Sequence, residues 1–161
     1  MKNILQYILK IALIITCIIC SDNFANAQAK NAIGLGAGLN TSREGAGFGG
    51  ILQGEVKLTN SISITPSLGA EIPYVVHLGI GGRYYFSDEV YGGLGAFGHF
   101  GGDDGASAGL GGTAGIGFIL LQTTRHVVDL NFHADLFEND HRRITLAGLR
   151  LIYNFSFSRL K

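Results

Sequence analysis

The sequence is poor in charge and in proline. Charged residues make up 15% of its 161 residues, with 12 basic and 12 acidic side chains, whereas roughly 25% is usual in soluble domains. This balance argues against a nucleic-acid-binding protein, which carries a basic surface stripe. With 2 prolines, and with 25 glycines scattered through apolar runs, disorder and collagen-like repeats are poor explanations. A chain of this length is expected to form one domain.

The two cysteines, Cys17 and Cys20, both lie in an N-terminal segment with the pattern of a secretory signal peptide. A positively charged start is followed by a short apolar run and by the small residues Ala25-Asn26-Ala27. We therefore predict a cleaved signal peptide over residues 1–27 and one mature domain over residues 28–161. The mature domain has no cysteine, which excludes disulfides, thiolate metal sites and cysteine nucleophiles.

Two other interpretations of the N-terminus stay open. An uncleaved anchor helix is disfavoured because the apolar run is short and Lys10 interrupts it. Lipidation at Cys20 is disfavoured because the preceding residue, Ile19, is large and branched, whereas a small residue is usual before the lipidated cysteine.

From Asn31 onward, apolar residues recur with a period of two, and no stretch shows the apolar stripe of a helix. Eight such runs, most of about ten residues, match the length that a tilted strand needs to span a bilayer. An even number of strands returns the C-terminus to the side on which the N-terminus began. The interruptions between the runs are centred near Glu44, Asn60, Pro73, Asp88, Asp104, Thr123 and Asp140.

The residues opposite the apolar face indicate which face meets lipid. They are mostly Gly, Ser and Thr with isolated charges, which is too little charge for a surface in water but suits the narrow interior of an eight-stranded barrel. We therefore predict an all-β fold, an eight-stranded antiparallel up-and-down transmembrane β-barrel, with its apolar residues against lipid. A soluble periplasmic binding barrel with an apolar interior is the alternative.

Nine ionisable residues have the inward parity and are predicted to form a polar network in the lumen. Buried charges must pair, so the simplest interpretation is a plug of ion pairs and hydrogen bonds. A polar pathway for small solutes or protons would use the same residues. The nine are Glu55, Lys57, Glu71, His77, Arg83, Asp129, His133, Asp135 and Arg150.

The densest polar row, Asp129-x-Asn131-x-His133-x-Asp135, lies on one strand face. A metal ion needs three or four converging ligands, so other strands would have to contribute, with His99 and Glu71 as conceivable partners. We predict no metal and no cofactor. The glycine-rich runs Gly34-x-Gly36-x-Gly38 and Gly109-x-Gly111-Gly112 resemble nucleotide-binding loops only superficially, because no predicted helix follows them.

Aromatic residues cluster at two strand ends and are predicted to form an interfacial girdle on the periplasmic side. The alternative is that they are ordinary strand residues. The two groups are Tyr84, Phe86 and Tyr91 around the central turn, and Tyr153, Phe155 and Phe157 near the C-terminus.

The signal segment, the eight alternating runs, the hairpin Gly81–Glu89 and the aromatic C-terminal strand resemble the small outer-membrane β-barrel proteins of Gram-negative bacteria, the OmpA/OmpX-like group. The resemblance implies a monomer in the cell outer membrane, in contact with outer-membrane lipid and lipopolysaccharide and recognised by the barrel assembly machinery. Such barrels usually end on an aromatic residue, whereas here Ser158–Lys161 follows Phe157.

The expected function is a structural or surface-interaction role, with no catalytic residues and no enzyme activity. The alternatives are a narrow channel for a small or hydrophobic solute, an interfacial lipid-modifying enzyme, and the soluble barrel above. His126 is interpreted as an interfacial residue, and His141-Arg142-Arg143 as an exposed loop able to contact lipopolysaccharide phosphates.

Overall fold

The computed structural model describes residues 30–43, 45–72, 75–101, 108–139 and 142–157. Several predictions concern residues outside these ranges. They are the signal peptide with its two cysteines, the segments at Glu44, Pro73, Asp104 and Asp140-His141, and the C-terminal residues Ser158–Lys161.

Eight antiparallel strands form a closed barrel in which each strand pairs with its neighbours in sequence and the first pairs with the last. The prediction of an all-β, eight-stranded up-and-down barrel is confirmed. No helix in the described ranges is long and apolar enough to cross a bilayer. The strands are β1 Ala32–Ser42, β2 Gly45–Lys57, β3 Ile62–Ile72, β4 Val75–Tyr85, β5 Val90–Phe100, β6 Ala108–Gln122, β7 His126–Asn139 and β8 Arg142–Ser156.

Closure depends on β1, which is paired along nearly its whole length on both sides. Ala32 lies opposite Glu55 of β2 and opposite Ser156 of β8, and Thr41 at the other end lies opposite Ala46 and Ala147. The ring therefore has no open edge. In hydrocarbon this is a requirement, because an unpaired edge would leave backbone groups unsatisfied.

The alternation of side chains directs apolar residues outward around the ring. On β1, Leu35 and Leu39 are 66% and 70% exposed, and Leu110 on β6 is 83% exposed. The residues between them point into the barrel, where carboxylates, arginines and histidines are buried. The alternative of a soluble barrel with an apolar interior is therefore wrong, because the apolar face is the outer one.

Three short connections lie at one end of the barrel, over residues 58–61, 86–89 and 123–125, together with Lys30 and Phe157. We name this the turn end and the opposite one the loop end. In the central hairpin, Ser87 Oγ accepts hydrogen bonds from the backbone N–H groups of Glu89 and Val90 at 3.3 and 3.2 Å. The predicted turn at Ser87–Glu89 is confirmed.

Inward glycines provide the space that larger lumen side chains occupy. Gly38 is an example of how closely the neighbouring strand packs against such a glycine. A Cβ at Gly38 would overlap the carbonyl oxygen of Leu149 and lie 2.7 Å from Arg150 Cγ. A Cβ at Gly50, which faces outward, would meet only the Gly36 carbonyl oxygen at 3.7 Å.

We expect Gly38→Ala to lower the free energy of unfolding by about 1–3 kcal/mol, since the backbone of β8 must move to relieve the overlap. Gly50→Ala is the matched control and should change it by less than about 0.5 kcal/mol. Urea titrations of the folded barrel, followed by circular dichroism, measure both. Equal unfolding midpoints for the two variants would contradict this account of the lumen.

Candidate functional site in the barrel lumen

The barrel interior gathers residues from all parts of the chain, and eight of the nine predicted lumen residues are buried there. Lys57 is the exception, and its inclusion was wrong. It is the last residue of β2, beyond the pairing of Glu55 with Ala32, and its side chain is exposed. At this position the ammonium group reaches water rather than the lumen.

The first group of lumen residues, the turn-end cluster, is centred on Arg83. Its Nη1 atom lies 3.1 Å from Glu55 Oε2, and its Nη2 atom donates a hydrogen bond of 3.0 Å to Gln53 Oε1. The guanidinium carbon also lies 4.4 Å from the centroid of the Tyr91 ring, an arrangement that is favourable when desolvated. The cluster consists of Gln53, Glu55, Arg83, Tyr85, Tyr91, Asp129 and Asn154.

Neutral donors complete the hydrogen bonding of the two carboxylates in this cluster. Glu55 accepts hydrogen bonds from the hydroxyl groups of Tyr85 and of Ser63, the latter at 2.7 Å. Asp129 accepts one from Tyr91 and one from Asn154 Nδ2, each at 2.8 Å. Buried charge is tolerated when it is both paired and hydrogen-bonded, so this cluster meets the conditions for a stable plug.

Lys30 adds a cation at the turn end that the sequence analysis missed because the residue precedes the first strand. Its Nζ atom donates a hydrogen bond of 3.2 Å to the Thr123 carbonyl oxygen. Burial lowers the pKa of the Lys30 ammonium, and the carboxylates of Asp88 and Glu55 oppose part of that shift.

The placement of Tyr91 in the aromatic girdle was wrong, because its side chain points into the lumen and is 1% exposed. Its hydroxyl group is bound to Asp129, and its ring lies 5.4 Å from that of Tyr85. Tyr91 has the same parity on β5 as His99, which is also buried in the lumen. The alternation of side chains along β5 thus predicts the orientation of Tyr91 correctly, whereas its proximity in sequence to other aromatic residues does not.

The other girdle residues lie on the outer surface at the turn end. Tyr84 packs edge to face against Phe86 at 5.2 Å, and Phe155 packs against Phe157 at 5.4 Å. The Tyr153 hydroxyl group lies 2.6 Å from His126 Nδ1. Their role as membrane anchors stays a prediction.

A second group, the central cluster, consists of Glu71, His77, His133, Asp135 and Arg150. Arg150 Nη2 lies 2.5 Å from Glu71 Oε1 and 3.3 Å from Asp135 Oδ2. His77 Nε2 lies 3.7 Å from Glu71, and His133 Nε2 lies 3.8 Å from Asp135. Unlike the turn-end cluster, this one has several buried atoms with no hydrogen-bond partner among residues 30–43, 45–72, 75–101, 108–139 and 142–157. They are Glu71 Oε2, Asp135 Oδ1 and the ring nitrogens of both histidines.

Toward the loop end the lumen is filled by apolar side chains, which we name the loop-end block. Phe97 and Phe137 lie 6.0 Å apart, and the ring of His99 lies 4.9 Å from Phe137. This block was not predicted from the sequence, although Phe97 and Phe137 have the inward parity. Its members are Val75, Phe97, Phe137, Ile144 and Leu146.

A cavity of about 90 Å³ lies between the turn-end cluster and the loop-end block. His77, His133 and Asp135 border it, together with glycines such as Gly79 and Gly93. The predicted polar row on β7 is therefore divided. Asp129 belongs to the turn-end cluster, whereas His133 and Asp135 join Glu71 in the central cluster.

No protein-family model and no curated protein matches the chain. Several solved structures are similar to it. The N-terminal β-barrel domain of Pseudomonas aeruginosa OprF aligns with a TM-score of 0.55 and 17% identity, over 80% of this chain and 100% of that one. Neisserial surface protein A aligns with a TM-score of 0.54 and 15% identity, over 78% and 96%.

A de novo designed transmembrane β-barrel aligns with a TM-score of 0.53 and 9% identity, over 80% of this chain and 98% of that one. At these identities the likeness concerns the fold. The chain therefore has the fold of the small eight-stranded outer-membrane barrels, in agreement with its apolar outer surface and with the expected location in the outer membrane.

We expect Arg83→Ala to lower the free energy of unfolding by about 3–5 kcal/mol, because the Glu55 and Asp129 carboxylates would stay buried without their counter-ion. Lys57→Ala is the matched control, since it removes an exposed cation from the same barrel end, and should cost less than about 0.5 kcal/mol. Urea unfolding in detergent micelles measures both. Similar losses for the two variants would contradict the assignment of Arg83 as the centre of the turn-end cluster.

Proposed function

We propose that the protein is an outer-membrane barrel with a closed lumen, which acts through its structure and its surface contacts rather than by passing solutes. The observation that carries this proposal is the filling of the lumen at two levels, by the turn-end cluster and by the loop-end block. The cavity between them is about 90 Å³, which leaves room for a small cluster of water molecules.

The two levels resist opening for different physical reasons. To move Arg83 aside, its contacts with Glu55 and Gln53 must break inside the barrel, and leaving one partner of a buried pair alone costs several kcal/mol. The loop-end block presents Phe97, Phe137 and Leu146 to any ion, and an apolar constriction opposes passage because the ion would lose hydration.

A non-enzymatic role is part of this proposal. The acids and bases of the turn-end cluster are bound to one another instead of being directed at a substrate-sized cavity. His126, the histidine nearest a membrane interface, contacts Tyr153 and packs 5.7 Å from Phe155. These contacts support an interfacial anchor in preference to the base of a lipid-modifying enzyme.

A monomer fits the closed ring, because every described strand has both edges paired and none is open to strand pairing with a second subunit. The C-terminal strand is the proposed signal for the barrel assembly machinery. Tyr153 and Phe157 are 46% and 64% exposed there, so they are open to contact from outside the barrel.

The loop end supplies a surface for lipopolysaccharide. A groove at the ends of β1 and β8 is lined by Arg43 and Arg143 together with Thr41, Ser42 and Thr145. Both arginines are exposed. Guanidinium groups bind phosphate oxygens through paired hydrogen bonds, so we propose that this rim contacts lipopolysaccharide phosphates.

Reconstituted wild-type protein is expected to show no discrete conductance steps in planar bilayers and to admit no small sugar into liposomes. The double variant Tyr91→Ala/Phe137→Ala shortens a side chain at each level and should conduct small ions. The matched control, Leu94→Ala/Phe100→Ala, changes two outward-facing residues and should remain closed. Conductance by the wild-type protein would replace this proposal with the narrow-channel alternative.

For the rim, Arg43→Gln/Arg143→Gln should weaken binding to lipopolysaccharide micelles by roughly tenfold, as expected for two exposed charge contacts. Arg125→Gln removes an exposed arginine at the turn end and serves as the control. Sedimentation at low and moderate salt gives the affinities. If Arg125→Gln weakens binding as much as the double variant does, the rim assignment fails.

A further inference from the structure

We propose that the central cluster is a binding site for one divalent transition-metal ion of the zinc type, with Glu71, His133 and Asp135 as ligands and His77 as the fourth. One ligand atom from each of the first three residues lies within 4.8 Å of those of the other two. Glu71 comes from β3, whereas His133 and Asp135 come from β7 on the far side of the ring. The site therefore exists only in the closed barrel.

The histidines provide an independent reason to expect a ligand. His77 and His133 are each 6% exposed, and within the described part of the chain neither ring has a hydrogen-bond partner for either nitrogen. His77 lies outside the group of three, yet its Nε2 atom is 3.7 Å from Glu71 Oε1. Buried imidazole nitrogens without partners are costly, and a metal ion would satisfy one nitrogen of each ring.

Arg150 is the competing cation, and its position leaves part of each carboxylate available. It contacts Glu71 Oε1 and Asp135 Oδ2. The other oxygens, Glu71 Oε2 and Asp135 Oδ1, are buried and have no hydrogen-bond partner among the described residues. Glu71 Oε2 lies against Gly49 of β2. With both histidines neutral, the two carboxylates and one guanidinium give this cluster a net charge of −1, which favours the entry of a cation.

The ligand set and the spacing suit zinc. Two imidazole nitrogens and two carboxylate oxygens are typical of Zn²⁺ sites, whereas Ca²⁺ and Mg²⁺ prefer oxygen ligands alone. Zinc–ligand distances of roughly 2.0–2.2 Å place neighbouring ligand atoms roughly 3.3–3.6 Å apart in a tetrahedron. The separations of 3.7 Å between His77 Nε2 and Glu71 Oε1 and of 3.8 Å between His133 Nε2 and Asp135 Oδ2 are close to that spacing. Both oxygens also contact Arg150, so ligation through them requires the guanidinium group to withdraw.

The site differs from the one that the sequence analysis considered. His99, then a conceivable ligand, packs against Phe137 in the loop-end block. Asp129 is held by Tyr91 and Asn154 in the turn-end cluster. The cavity of about 90 Å³ borders His77, His133 and Asp135 and gives the ion a polar space beside its ligands.

Calorimetric titration of the purified barrel in detergent with Zn²⁺ alone tests this site. We expect one ion per chain with a micromolar dissociation constant, and a loss of at least tenfold in affinity for His133→Gln and for Glu71→Gln. His99→Gln is the matched control, because it removes a buried histidine of the same lumen outside the central cluster, and should bind as the wild type does. Co²⁺ should give the intense visible absorption of a four-coordinate site.

The proposal is overturned if the wild type binds no Zn²⁺, or if His99→Gln loses as much affinity as His133→Gln. It is also overturned if Zn²⁺ binding persists in both ligand variants, since the ion would then lie elsewhere. Heat-dependent gel mobility identifies variants that fail to fold. If His133→Gln is one of them, the Co²⁺ spectrum of the wild type decides, and the lack of a four-coordinate band overturns the site.

Discussion

The closure of the sheet through the pairing of β1 with β8 is the constraint on which the rest of this structure depends. A strand in hydrocarbon has no water to satisfy its backbone, so each of the eight strands needs a partner on both sides. Eight strands make a narrow ring, whose interior is only wide enough for side chains. The lumen is consequently a packed interior, and its charges must find partners within it.

The narrow ring also explains the many glycines. Gly117 provides the space for the Tyr91 ring, Gly111 for Phe97 and Gly49 for Glu71, since a Cβ at each position would overlap the neighbouring side chain. A large inward residue on one strand is therefore paired with a glycine directly opposite it on the neighbouring strand. The glycines that appeared scattered in the sequence are thus the counterparts of the aromatic and charged groups that close the lumen.

Along the lumen, the degree of hydrogen bonding changes from one level to the next. The carboxylates of the turn-end cluster are each bound by several donors. The loop-end block is apolar, but the His99 ring packed against it has both nitrogens buried without a hydrogen-bond partner among the described residues. The central cluster differs because there the nitrogens of two buried histidines and one oxygen of each of two carboxylates all lack a hydrogen-bond partner among the described residues. Native proteins rarely leave such groups unsatisfied without a functional reason, which is why the metal proposal belongs to this level.

The sequence by itself determined the number of strands, the closed antiparallel topology and the face that meets lipid, because alternation is a local property with a period of two residues. It also placed eight of the nine predicted charged or histidine residues in the lumen, and it contained the parity that puts Tyr91 and Phe137 inside. Only the tertiary structure decided which groups meet. Arg150 contacts Glu71 from 79 positions away in the sequence, across strands that are not neighbours. Such contacts depend on the register of every intervening strand pair and on the curvature of the ring. A local sequence pattern therefore cannot predict which side chains meet across the lumen.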